Sequence, residues 1–410
     1  MKLLYVADGR SPIALNWINY FIQHRHEVHL ASTYPCQAIK GVASQVEISL
    51  AMSGLAGSGE GGQMGGRHWL RQLAPVRLRT LIKQRIGPMS IPKAAMALKG
   101  LIEQLQPDLI HAMRIPYEGM LASEALKLIA QNEERSTKPS LLVSVWGNDF
   151  TLHAQSTSTM ASLTRQVLSF ADGLHTDCQR DQRLALEFGY ANERPSIVLP
   201  GAGGIQTSIF YPKEITDDMV ATMREYIGAT RIINPRGYRA YVRNDTFFKA
   251  IPLVLEKYPY VLFICPGMRG EEHAEKWVHK LKVDDQVELL SHQSREKMAE
   301  LFQVSQISLS ITTHDGTPNT LLEAMACGCF PIAGDIESLR EWITPEENGL
   351  LVDPADPQAL AQAIIHVISH PEFRQQAREI NLQLVRERAE YSKVMSQAEG
   401  FYKRLISAKF

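Results

Sequence analysis

The stretch THDGTPNTLLEAMACGCFPIAG, Thr313 to Gly334, decides how the rest of the chain is read. It follows an apolar run, Ile307 to Ile311, that alternates like a half-buried strand. Gly316, Thr317, Pro318 and Asn319 then break the chain and open a helix, with Thr317 as the expected N-cap and Pro318 as the expected first helical residue. The helix is expected over Asn319 to Cys327, stopping at Gly328. A helix start of this kind offers unpaired N–H groups and partial positive charge, which bind anions and phosphate above all. Gly316, Thr317, Pro318, Asn319, Thr320 and Leu321 are therefore candidate donor contacts. Asp315 stands just before this anion site, and Glu323 lies eight positions on, inside the helix. One carboxylate is placed for a polyhydroxylated ligand and the other for a ribose, a pattern that suits a nucleotide sugar.

Working outward, 410 residues favour two domains of ordinary size. The content of 45% hydrophobic and 21% charged residues is that of a globular protein, and a net charge of −1 gives no field that would draw nucleic acid. Residues 1–200 hold 20 basic and 16 acidic side chains, against 23 and 28 beyond, so the two halves differ in sign. Five scattered cysteines without C-x-x-C spacing argue against a disulfide framework or a zinc site. With no secretory leader before the first strand and no run of membrane-spanning length, a cytoplasmic protein is expected.

The front half starts as a doubly wound sheet. Lys2 to Ala7 reads as a buried strand, Asp8-Gly9-Arg10 as a glycine turn, Ser11-Pro12 as a helix start, and Arg25 to Ser32 as the next strand. Gly57, Gly59 and Gly62 formally satisfy G-x-G-x-x-G. They open no helix, and no acid follows at the ribose distance, so a loop is the better reading. Residues 67–99 contain eight basic and no acidic side chains, interleaved with apolar ones. That segment reads either as a peripheral contact with an anionic membrane or as a solvated basic face on a core helix. Ligands of open α/β sheets bind outside the carboxyl ends of the strands, so His111, Arg114 and the Trp146 to Asp149 corner are expected to look into one crevice. His111 and Asp149 are the acceptor-side candidates. Pro200 to Gly204 breaks regular structure and marks the domain boundary, giving 1–200 and 201–386.

The residues from Asp315 to Ala333 resemble the retaining family-4 glycosyltransferases, which carry E-x(7)-E, an E-A-M-A-C-G helix and a P-x-(V/I)-A strand. This chain has Asp315 in place of the first Glu, keeping the charge on a shorter arm. The resemblance implies two Rossmann-like doubly wound domains facing across a cleft, the GT-B fold, with the last segment, 387–410, crossing back to the first domain. It implies a transferase using a nucleotide sugar, with a UDP-sugar favoured over GDP, retention at the anomeric carbon, no metal and no cofactor. The acceptor would be a glycan or a lipid-linked sugar in polysaccharide or glycoconjugate synthesis. It places Gly9 near the donor, Arg236 on the diphosphate, and Arg243 or Arg239 where the family has lysine. It also places the backbone of Leu290 to His292 at the base edge, and Asp315, Arg236, Arg243, His111 and Asp149 in the catalytic set. An NDP-sugar epimerase of the same fold and a silent nucleotide-sugar-binding subunit are the alternatives.

Overall fold

The computed structural model describes residues 1–50, 87–131, 138–213, 230–239 and 241–408. The glycine-rich loop and residues 67–86 of the basic segment lie outside the described residues. The chain divides into two compact units, Met1–Gly203 with Met395–Phe410, and Gly204–Val394. The division falls close to Pro200, and the returning segment starts at Met395, inside the last helix, where 387 was expected. That helix is itself two, Pro371–Arg388 and Tyr391–Ser407. The break has a physical cause: the Ile205 backbone enters it, its N–H donating to the Ala389 carbonyl at 2.6 Å and its carbonyl accepting from Tyr391 at 3.0 Å.

Among the described residues the first sheet has seven parallel strands: β1 (Lys2–Ala7), β2 (Glu27–Ser32), β3 (Ser44–Glu47), β4 (Leu109–Ala112), β5 (Ser140–Val145), β6 (Gly173–Thr176) and β7 (Ser196–Val198). Their order is β3-β2-β1-β4-β5-β6-β7. The second sheet is formed by β8 (Arg231–Ile233), β9 (Leu262–Pro266), β10 (Val287–Leu290), β11 (Ile307–Ser310), β12 (Phe330–Gly334) and β13 (Leu350–Val352). Its order, β10-β9-β8-β11-β12-β13, repeats the same doubly wound scheme. The order reverses between β1 and β4 in one unit and between β8 and β11 in the other. At these points the chain leaves neighbouring strands toward opposite faces of the sheet, opening a gap at the carboxyl ends.

The two faces of the first sheet differ in chemistry. Alternation along β1 and β4 sends Leu4, Val6, Ile110 and Ala112 into an aliphatic core with Leu98, Leu121 and Leu126. Tyr5 and His111 go to the other face, where they meet Trp17 of the Pro12–Gln23 helix and Tyr402 of the Tyr391–Ser407 helix. The polar atoms there are joined in a chain. Tyr5 Oη lies 3.1 Å from Tyr402 Oη, which lies 2.5 Å from His111 Nδ1. His111 Nε2 is 2.7 Å from Ser144 Oγ, and this hydroxyl is 2.8 Å from His175 Nδ1. His175 Nε2 ends the chain on the Leu199 carbonyl at 2.9 Å. Each polar side-chain atom in this chain has a partner, as a dry interior favours. Burial holds both imidazoles neutral, lowering His111 well below its ordinary value and His175 to about 4.

This fixes the sign of a pH effect. The unfolded chain takes up protons on these imidazoles below about pH 6.5, while the folded one does not. The first unit should therefore lose stability, on the order of 1–3 kcal/mol per histidine, as pH falls from 6.5 toward 4, and thermal unfolding should move to lower temperature. His175→Gln should flatten that slope, and an unchanged slope would remove His175 from the account.

Candidate active site

At the reversal point of the second sheet, β8 ends and the chain turns through Asn234, Pro235 and Arg236. Gly237 completes the turn at φ +65°, a backbone that side chains seldom adopt. The turn aims Arg236 across the gap at the loop that follows β11. Its guanidinium, 8% exposed, pairs with the Asp315 carboxylate and donates to Thr320 Oγ1 at 3.5 Å. Asp315 is itself held from behind, its carbonyl accepting from Ser338 Oγ at 2.7 Å. One guanidinium thus links the last acid before the helix to the second residue inside it.

The helix runs Asn319–Cys327 and stops at Gly328. Its N-cap is Pro318, which corrects the expectation of Thr317, because the Thr317 hydroxyl has another task. It accepts the Trp342 indole N–H at 2.9 Å. The Leu321 N–H bonds back to the Pro318 carbonyl at 3.0 Å and the Leu321 side chain lies in the core, so Leu321 leaves the set of donor contacts. Gly316 is buried in the loop before the helix. Asn319 and Thr320 then supply the amides at the helix start. Arg236 Nε and Asn319 Oδ1 are buried without a hydrogen-bond partner. Orphaned polar atoms at a helix start are what a site prepared for a polar ligand leaves open.

Glu323 is half-buried in the same helix. Burial raises its carboxyl to about 7, opposed by the positive charges of Arg295 and Arg236. The other two arginines separate. Arg243 closes on Asp245 at 2.8 and 2.9 Å, so its fork is engaged away from Asp315. The exposed Arg239 donates to Tyr241 Oη at 3.0 Å and is close enough to Asp315 to feel its charge. Of the two, Arg239 is the one whose charge reaches Asp315, while the Arg243 fork is engaged by Asp245.

The Leu290 carbonyl already accepts from Met268 and Arg269 N–H at 2.9 and 3.0 Å. His292 is exposed, with its ring against Gly267. In the first unit, the Gly9 N–H donates to Ser32 Oγ at 3.1 Å, and a side chain at Gly9 would collide with Cys36 Sγ. His111 is not a crevice residue, because the alternation of β4 turns it into the polar layer beneath the helices. Asp149 is buried too, accepting from Arg114 at 2.6 Å and from the Ile115 and Trp146 N–H groups, both at 3.2 Å. Its carboxylate ties two loops together. Among the described residues, Asp177, Cys178 and Asp181 bring possible metal-ligand atoms within 4.8 Å of one another, but Arg180 already occupies Asp181 at 2.9 and 2.7 Å.

Comparison with known proteins identifies the family. Residues 14–201 match the family described as "Glycosyl transferase 4-like domain", and residues 232–383 match "Glycosyl transferases group 1". The chain belongs to the group 1 glycosyltransferases. Among curated members, N-acetyl-alpha-D-glucosaminyl L-malate synthase of Bacillus anthracis is 29% identical over 125 residues, 30% of this chain and 32% of that protein. The chain spans about a third of the length of the curated relatives it matches. Sucrose-phosphate synthase from Thermosynechococcus elongatus has the same fold over 100% of both chains, with a TM-score of 0.73 and 16% identity. HepE from Anabaena, solved with UDP-glucose, covers 98% of this chain and 100% of its own, with a TM-score of 0.70 and 14% identity. This group 1 glycosyltransferase accordingly has the two-domain GT-B fold.

Sequence reasoning missed Trp342, Ser338 and Arg295, which surround the site from outside its motif. No periodicity marks them, since they reach Thr317, Asp315 and Glu323 through tertiary packing. Thr317→Val would leave the indole N–H of Trp342 buried and unpaired. A loss of about 1–3 kcal/mol in unfolding free energy is expected, measured by denaturant titration of the variant against the parent chain.

Proposed function

We propose that the protein moves a sugar from a nucleoside diphosphate sugar, with a UDP-sugar favoured, to a glycan or lipid-linked acceptor, retaining the anomeric configuration and needing no metal ion. The observation that carries this reading is the Arg236 guanidinium fixed between Asp315 and Thr320 at a helix start. Departure of the diphosphate builds negative charge on its oxygens. A guanidinium and a helix start already in position stabilise that charge without reorganising. Such groups can provide the positive charge that a divalent ion supplies in other transferases. The HepE complex with UDP-glucose supports UDP as the carrier. Asp315, tethered by Arg236, meets the sugar hydroxyls, and Glu323 meets the ribose. The leaving phosphate oxygen takes the acceptor proton on the same face, so no dedicated side-chain base is needed.

A cytoplasmic enzyme working at the membrane surface completes the proposal. No helix of the described residues is long and apolar enough to cross a membrane. The Ile91–Leu105 helix, which ends the basic segment, buries Ile91, Ala94 and Leu98 while exposing Met96, with Met89 exposed just before it. Lys93 is exposed on the same helix, giving it both the charge and the apolar side chains of a peripheral contact.

Isothermal titration with UDP and steady-state transfer assays test the assignment. Arg236→Ala should lower turnover more than affinity, and Glu323→Ala should weaken UDP binding by roughly tenfold or more. Because an ionised carboxylate accepts from ribose hydroxyls better than a neutral one, UDP affinity should rise with pH through about 7. The rise should vanish in Glu323→Gln. Kinetics and binding unchanged in all three variants would sink the site, and abolition of transfer by EDTA would sink the metal-free scheme.

A further inference from the structure

The first unit carries its own reversal point, between β1 and β4. Asp8 and Arg10 follow β1, Thr33 and Tyr34 follow β2, Arg114 to Glu118 follow β4, and Asp149 follows β5. Within Ile115–Gly119 the backbone departs sharply from helical geometry. Pro116 has φ −65° and ψ 127°, and Tyr117 has φ 71° and ψ −62°. The Tyr117 angles are those of the γ-turn that is rare and strained for an L-residue. The Gly119 N–H closes the turn on the Arg114 carbonyl at 2.9 Å. A glycine would fit Tyr117's backbone without strain, yet a large aromatic stands there. Strain of this kind persists where the surrounding structure imposes it, and it gathers at ligand sites.

The turn presents a half-buried Tyr117 beside a buried Glu118, which accepts from Thr33 Oγ1 at 2.8 Å. Arg114 bonds Asp149 but keeps 35% of its side chain exposed. Arg10 lies over the Tyr34 ring at 4.1 Å. Two guanidiniums here face three carboxylates, those of Asp8, Glu118 and Asp149. Among the described residues, this edge therefore holds no surplus of positive charge for an anionic head group. Aromatic faces with hydrogen-bonding groups around them suit a pyranose ring.

We infer that Tyr117, held in this turn, is the acceptor platform of the first unit, and that it takes a neutral sugar ring in preference to an anionic one. The inference rests on the glycosyl-transfer reading above and supplies its acceptor class. The two can fail separately.

Saturation-transfer NMR on the full chain, with methyl β-glucoside and glucose 6-phosphate as probes, tests it. The neutral glucoside should receive saturation from the parent protein and at least severalfold less from Tyr117→Gly and Tyr117→Ala, while glucose 6-phosphate receives none. Preference for the phosphate, no signal from the glucoside, or equal glucoside signals in parent and variants would overturn the inference. The two variants also check the turn, because both lose the ring while only alanine keeps the strain. Tyr117→Gly should melt above Tyr117→Ala by about 2–4 °C, and the reverse order would overturn the strained-platform argument. UDP titration of the same samples separates the two readings. Glucoside binding without UDP binding sinks the donor assignment alone, and UDP binding with glucoside signals indifferent to Tyr117 sinks only the platform.

Discussion

When every strand of a sheet runs the same way, all the loops that leave strands emerge at one edge, and the strand-order reversal fixes where that edge is open. In the second unit one side of the gap gives Arg236 and the other gives Asp315, and their ion pair spans it. The pair is almost dry, so removing either member strands a charge at a cost of roughly 3–5 kcal/mol. That cost binds the two loops to a single arrangement before any ligand arrives. A site preset in this way avoids ordering its charged groups at the moment of reaction.

The first unit meets the same constraint with different material. Its Asp149 carboxylate is spent on structure, collecting Arg114 and two backbone N–H groups from neighbouring loops. With those loops anchored, the short turn after β4 can hold Tyr117 in a conformation that a free peptide avoids. The sheet beneath is covered on one face by aliphatic side chains and on the other by the joined hydroxyls and imidazoles of Tyr402, His111, Ser144 and His175. The aliphatic face needs only volume, whereas the polar one needs a particular partner for every atom.

The difference explains what could be read from the chain alone. The first strands and the helix at Asn319 to Cys327 were legible because glycine, proline and apolar periodicity are local signals. Glu323 was placed by its spacing from Asp315, and Arg236 by the family resemblance. His111 was not, because whether a strand-end histidine faces solvent or core depends on what covers it, and Trp17 and Tyr402 lie far away in sequence. Arg243 and Arg239 were indistinguishable until Asp245 was seen to engage the first. Tyr117 gave no signal, since nothing in Ile-Pro-Tyr-Glu-Gly states that a tyrosine will adopt the backbone of a glycine.

Tyr402 and His111 touch across 291 positions of sequence. During synthesis, the first sheet must therefore wait for its lid until the whole second unit has emerged from the ribosome, although domains ordinarily fold in the order they are made. The unit translated later has all its own residues first. Until then Trp17, Phe21 and His111 lack the cover that Tyr402 gives them, an opportunity for chaperone capture.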